Sequence, residues 1–144
     1  MMRRAYPLLL LFAFLLGSLG HIFSRPTVEN ETPYTVTLQA ERANTLLLSA
    51  LPKEGDTVRI SGKEGKLLSV TAVPARLYEM GDDGIATYSS LLFSTVTLCV
   101  LTEAHEHLGR FYLGDGYLAL GDEVTLLAEN FSLRTHFIAY SADF

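Results

Sequence analysis

The hydrophobic pattern divides the chain in two. Ala5–Phe23 is a run of nineteen residues without a charge, preceded by Met1-Met2-Arg3-Arg4. As a helix rising ~1.5 Å per residue it reaches about 28 Å, close to the ~30 Å hydrocarbon core of a bilayer. Pro7 falls in the first turn, where its missing N–H costs nothing. Leu8–Leu16 is almost wholly Leu, Phe and Ala, as a medium without hydrogen-bonding partners requires.

After Phe23 the period of the pattern drops to two. Tyr34, Val36 and Leu38 alternate with Thr35, Thr37 and Gln39, the mark of a half-buried strand. Gly55–Ile60 and Lys66–Val73 flank a Gly-containing turn, Ser61–Gly65, and predict a β-hairpin. Leu91–Thr102 carries the longest strand signal, and Phe111–Leu113, Tyr117–Ala119, Val124–Ala128 and Leu133–Ser141 follow as strands. Glu41–Leu51 is rich in helix formers and predicts one short helix. Pro74–Thr87 is the least regular stretch, with a turn at Met80–Gly84, and Glu103–Gly109 is predicted as another turn. The expectation is a mainly β protein: an N-terminal transmembrane helix, then a small antiparallel β-barrel or sandwich with one short helix. The organisation is an anchor over residues 1–24, a linker over 25–33 and a β domain over 34–144.

Two fates remain open for the first segment. An uncleaved anchor fits its length and flanks. A signal peptide cut after Ser18-Leu19-Gly20 fits its small exit residues. A buried helix of a soluble protein fits poorly, since no polar face exists. Either of the first two exports the remainder. The basic flank stays in the cytoplasm, so the expected location is the cell membrane, single-pass, with the C-terminal domain outside and the bilayer met by residues 5–23.

Charge narrows the partners. The net charge is -5, but from Pro26 onward 8 Lys and Arg stand against 16 Asp and Glu, a balance of -8. Such a domain presents no basic face to nucleic acid. The single cysteine, Cys99, lies in the apolar run Val96–Leu101 and is expected to be a buried small hydrophobe.

One internal repeat stands out. Gly55-Asp56-Thr57-Val58-Arg59-Ile60 matches Gly121-Asp122-Glu123-Val124-Thr125-Leu126, and each is followed by a turn and an apolar strand. Duplication and common turn chemistry explain it equally well, because Gly tolerates positive φ and Asp bonds nearby amides.

Candidate chemistry is sparse. His105 and His107 would share one strand face with Glu103 near, a partial metal set that His136 would have to complete; a solvated turn explains the same residues. Asp82-Asp83, between Gly81 and Gly84 and near Glu79, reads as a turn rather than a calcium cage. Ser61, Ser89, Ser90 and Ser94 lie in no nucleophile elbow. Gly109, Gly114 and Gly116 precede no phosphate-binding helix, and Gly114-Asp115-Gly116 has hairpin chemistry. Phe111, Tyr112 and Tyr117 divide between core and a binding face. No catalytic residue, cofactor site or metal site is assigned.

Gly55-Asp56-Thr57-Val58, the segment Phe111–Asp122 and Asn130-Phe131 together carry a resemblance. With the N-terminal apolar run, the chain resembles an uncharacterised family, a domain of unknown function, of small bacterial single-pass membrane-anchored proteins with a C-terminal β domain. The resemblance spans most of Tyr34–Tyr140. It departs at Arg134-Thr135-His136-Phe137, where the family closes on a glycine-containing strand. It implies anchoring and a β domain and brings no activity. The expected function is a non-catalytic interaction or assembly module of the cell envelope, with an envelope protein as partner. The alternatives are a secreted glycan- or peptide-binding domain using Phe111–Tyr117, and an envelope hydrolase with a cryptic site.

Overall fold

Alternating side chains and Gly–Asp turns build an antiparallel sheet in the computed structural model, which describes residues 30–114 and 116–143. The anchor segment lies outside the described residues, and so does Asp115. Among the described residues no helix is long and apolar enough to cross a membrane. The strands are β1 (Thr32–Asn44), β2 (Thr57–Ile60), β3 (Lys63–Gly81), β4 (Gly84–His107), β5 (Arg110–Leu113), β6 (Gly116–Leu118), β7 (Glu123–Ala128) and β8 (Phe131–Ala142). The domain is mainly β, and its strand pairings are antiparallel.

The pairings return to their starting point. β1 pairs with β4 on one side and β8 on the other, β8 with β7, β7 with β2, β2 with β3 and β3 with β4. Inward-facing Val36, Leu38, Val58, Ile60, Leu67, Leu98, Val100, Leu126 and Phe137 are almost fully buried and make the core. Gly65 lets β3 approach β4 closely: a Cβ there would lie 2.6 Å from Val100 Cγ1 and 2.8 Å from the Leu101 carbonyl oxygen. The β2–β7 seam is thin, joined through Arg59–Leu127 and Ile60–Leu126.

The sequence repeat recurs in the hydrogen bonds. Gly55 N donates to Leu67 O at 2.7 Å and Leu67 N to Asp56 O at 2.9 Å; Gly121 N donates to Phe137 O at 2.7 Å and Phe137 N to Asp122 O at 2.9 Å. Asp56 Oδ2 accepts from Lys53 N at 2.7 Å, and Asp122 Oδ2 from Ala119 N at 2.8 Å. Both glycines have left-handed φ, 92° and 94°, which a side chain would strain. The equivalence extends to strand order, since β1, β2 and β3 correspond to β4, β7 and β8. Leu67 opposite Val100 matches Phe137 opposite Leu38. Leu38 opposite Leu98 matches Val100 opposite Val36. The pairing scheme therefore has an internal twofold relation, with Ile60–Leu126 at its centre.

Four expectations are corrected. The short helix expected over Glu41–Leu51 is confined to its second half: β1 runs on to Asn44 because Ala43 and Asn44 pair with Ser94 and Phe93. What remains, Thr45–Ala50, is a 3₁₀ helix capped by Asn44, whose side chain accepts from Leu46 N at 2.9 Å. Six residues are too few to sustain an α-helix against that pairing. Pro74–Thr87 is not irregular; it is a regular hairpin from Arg76 opposite Ser89 to Gly81 opposite Gly84. The turn predicted at Glu103–Gly109 shrinks to Leu108-Gly109, with His105, Glu106 and His107 on β4. Cys99 faces outward, half-buried, its Sγ 3.9 Å from Thr37 Oγ1.

Candidate functional site

β4 is longer than the core it helps enclose, and its first part leaves with β3 as a two-stranded arm. Bulges mark the departure: β1 shifts register between Ala40 and Ala43, and β3 between Pro74 and Arg76. Arg42, inside the first bulge, has φ 56°. On β4, buried Ser90 stabilises the bend, its Oγ accepting from Leu92 N at 3.2 Å and Phe93 N at 3.0 Å. Thr45 Oγ1 donates to Leu91 O at 3.3 Å and ties the 3₁₀ helix to the same corner.

Alternation along the arm puts Arg76, Tyr78 and Met80 of β3 on one face with Ile85, Thr87 and Ser89 of β4, and Leu77 and Glu79 on the other with Ala86 and Tyr88. Tyr78, Met80 and Ile85 are 69%, 85% and 70% exposed. At the base, Leu46, Leu91 and Leu92 add an apolar shelf. Among the described residues the outer edge of β3 beyond Lys66 pairs with no strand, nor does the outer edge of β4 before Phe93. A two-stranded ribbon alone is marginal in water, and open apolar edges invite a partner.

A groove of about 390 Å³ runs beside the arm's base, lined by Glu41, Arg42, Arg76, Tyr78, Val73 and Pro74 among others. Among the described residues the ion pairs engage Arg59 with Glu64, Lys63 with Glu31 and Arg134 with Glu123. The guanidiniums of Arg42 and Arg76 have no such partner there. The arm's apex, between Gly81 and Gly84, is Asp82-Asp83, both exposed. A second cleft of about 430 Å³ overlies the β2–β7 seam beside Arg59 and Leu127.

The histidines lie at the other end of the strand. His105, Tyr112 and Tyr117 are directly opposite one another across β4, β5 and β6. The His105 ring stacks on Tyr112 at 4.9 Å with the planes 3° apart, Tyr112 tilts against Tyr117 at 5.9 Å, and the Arg110 guanidinium lies 5.7 Å over Tyr117. Such a ladder stabilises a sheet by about 0.2–1 kcal/mol per pair. Glu103, His105 and His107 do share a face, but among the described residues no three His, Cys, Asp or Glu side chains are arranged to hold a metal ion. His136 is on β8, its Nδ1 3.2 Å from Gly121 O. Phe111, from the same aromatic segment, is core: it stacks on Tyr140 at 4.4 Å and Phe137 at 5.4 Å, with Tyr34 edge-on at 5.3 Å. Burial raises the Tyr140 hydroxyl above the ordinary tyrosine range, and the Glu106 carboxylate adds to the shift.

Of the serines, Ser90 is committed to the bend, Ser94 is buried, and Ser61 and Ser89 are exposed in a turn and on the arm. Among the described residues none bonds a histidine or carboxylate. Sequence reasoning found the ladder's residues and missed the arm. Its signal was available in Leu77-Tyr78-Glu79-Met80 and Ile85-Ala86-Thr87-Tyr88, two short alternating runs about a Gly-Asp-Asp-Gly turn. Compared with protein-family models, with curated proteins and with solved structures, the chain matches none.

Proposed function

We propose that the chain is a membrane-anchored, non-catalytic interaction module, its β domain held outside the membrane and its partner met through the β3–β4 arm. The reading takes the cyclic strand pairing as a small closed barrel, Ala5–Phe23 as the anchor and the resemblance to single-pass envelope proteins as the setting. The observation that carries it is the arm. Tyr78, Met80, Ile85, Leu91 and Leu92 expose apolar surface on a ribbon with open edges, and contiguous exposed apolar surface marks interaction sites. β1 runs thirteen residues from Thr32 to Asn44, and the arm departs beyond Asn44, at the opposite end of β1 from Thr32.

The test places a photo-crosslinking amino acid at Met80 or Leu91 of the full chain in its own membranes, with Glu129 as control. Protein adducts should concentrate at Met80 and Leu91; adducts at neither, or equally at all three, overturn the reading. The intact mass of the mature chain tests the anchor, and a start at His21 overturns it.

A second reading, a secreted glycan- or peptide-binding domain, draws on the ladder, where Tyr117 is 51% exposed. The stacked His105 and Tyr112 spend their faces on each other, which weakens it.

A further inference from the structure

The arm carries both halves of a complementary contact. At its apex are two carboxylates, Asp82 and Asp83, flanked by Gly81 and Gly84, with Met80 opposite Ile85 next along the ribbon. At its base is the groove with the guanidiniums of Arg42 and Arg76, walled by Tyr78, Val73 and Pro74. Apex and Arg76 lie on one ribbon and cannot meet within a chain, because the register from Arg76–Ser89 to Gly81–Gly84 is unbroken and holds apex and base about 17 Å apart.

We propose that the occupant of the groove is a second copy of this chain, the two arms lying antiparallel face to face so that each acidic apex seats between Arg42 and Arg76 of the other. This rests on reading the arm as an interaction device and names its partner. A twofold axis near Tyr78 relates the copies, as an isologous contact requires. The face shared by Arg76, Tyr78, Met80 and Ile85 is covered in the same step: the apolar side chains stack across the axis while the charges pair at either end. In a domain of strong acidic balance, two guanidiniums without an ion-pair partner are the natural seat for the apex carboxylates, and bidentate Arg–carboxylate contacts fix the register. Glu41 also lines the groove and limits the charge the seat accepts. Lipid is the poorer occupant, because the apex would carry both carboxylates into the bilayer first.

The experiment uses the full chain in detergent, with size-exclusion chromatography and light scattering over a range of concentration and salt. The wild type should be a dimer that weakens as salt rises. Asp82→Lys/Asp83→Lys and Arg42→Glu/Arg76→Glu should each raise the dissociation constant roughly tenfold or more. Mixed, the two variants should pair with each other, because a lysine apex then meets a glutamate groove and an aspartate apex an arginine groove. All four positions are exposed, and circular dichroism of each variant checks that it is folded. Met80→Lys, which leaves the charges alone, should weaken the dimer as well.

A wild type that stays monomeric, variants that dimerise like the wild type, or folded variants that do not pair when mixed overturn the proposal. If the wild type is monomeric while a crosslinker at Met80 still captures another protein, this pairing fails and the interaction reading stands. If Met80 and Leu91 capture nothing, both fail.

Discussion

Ile60 on β2 lies directly across from Leu126 on β7, and neither side chain has any exposed surface. They are equivalent positions of the repeat, so the core is centred on a contact between a residue and its own counterpart. Because β2 and β7 pair over a short stretch, side-chain packing at this point substitutes for the ladder hydrogen bonds that a longer seam would supply.

Truncating either member should therefore be costly. Ile60→Ala and Leu126→Ala are each expected to destabilise the domain by about 2–5 kcal/mol, as buried aliphatic deletions do. The double variant should depart from the sum by about 0.5 kcal/mol or more, since the two share one cavity. Urea titrations of the four chains measure both quantities, and strict additivity would mean that the seam is held elsewhere.

Asp56 and Asp122 should behave as a matched pair. Each accepts a backbone N–H three residues back, so Asp56→Ala and Asp122→Ala should each cost about 1 kcal/mol. Asparagine keeps an acceptor oxygen and should recover most of the loss. A large cost at one site and none at the other would break the equivalence of the two turns.

Gly65→Ala is expected to strain β3 against β4. The new methyl would meet Val100 Cγ1 at 2.6 Å and the Leu101 carbonyl at 2.8 Å, an overpacking of about 1–3 kcal/mol. Adding Val100→Ala should relieve only part of it, because the carbonyl belongs to the backbone. Thermal melts of the single and double variants read the difference.

Tyr140 should give the domain an alkaline limit. Its hydroxyl is held above the ordinary value of 10.0, first by burial and then by Glu106. The folded state thus keeps the phenolic proton more tightly than the unfolded chain. The resulting stabilisation is complete below that ordinary value and is lost as pH climbs through the raised one. Tyr140→Phe should flatten the alkaline fall in stability relative to wild type; an unchanged slope would assign the fall to other groups.

Period-two alternation made most of the domain legible in advance, since Tyr34–Ala40, Val124–Ala128 and Leu133–Ser141 each keep one face in the core. The Gly55-Asp56 and Gly121-Asp122 repeat was visible too, although only the paired hydrogen bonds separate it from ordinary turn chemistry. Glu41–Asn44 misled because local helix preference is weak beside pairing with Ser94 and Phe93, partners fifty residues away. The arm was missed for a related reason. Its alternation is real, but both faces of a free ribbon are exposed, and the inside-or-outside contrast that makes a strand readable is absent. The groove depends on two bulges, at Arg42 and before Arg76, which no composition signal announces.

The hydrogen bond from Asp143 N to Pro33 O, 3.0 Å long, has a topological consequence. In the twofold pairing scheme this junction is the counterpart of the arm, because β8 lies beside β1 as β3 lies beside β4. Covalently sealing the first and cutting the backbone between Asp82 and Asp83 would leave every strand pairing intact. The domain is thus a loop of strands closed by its own pairings, with the β8–β1 junction and the arm's apex at equivalent positions around it.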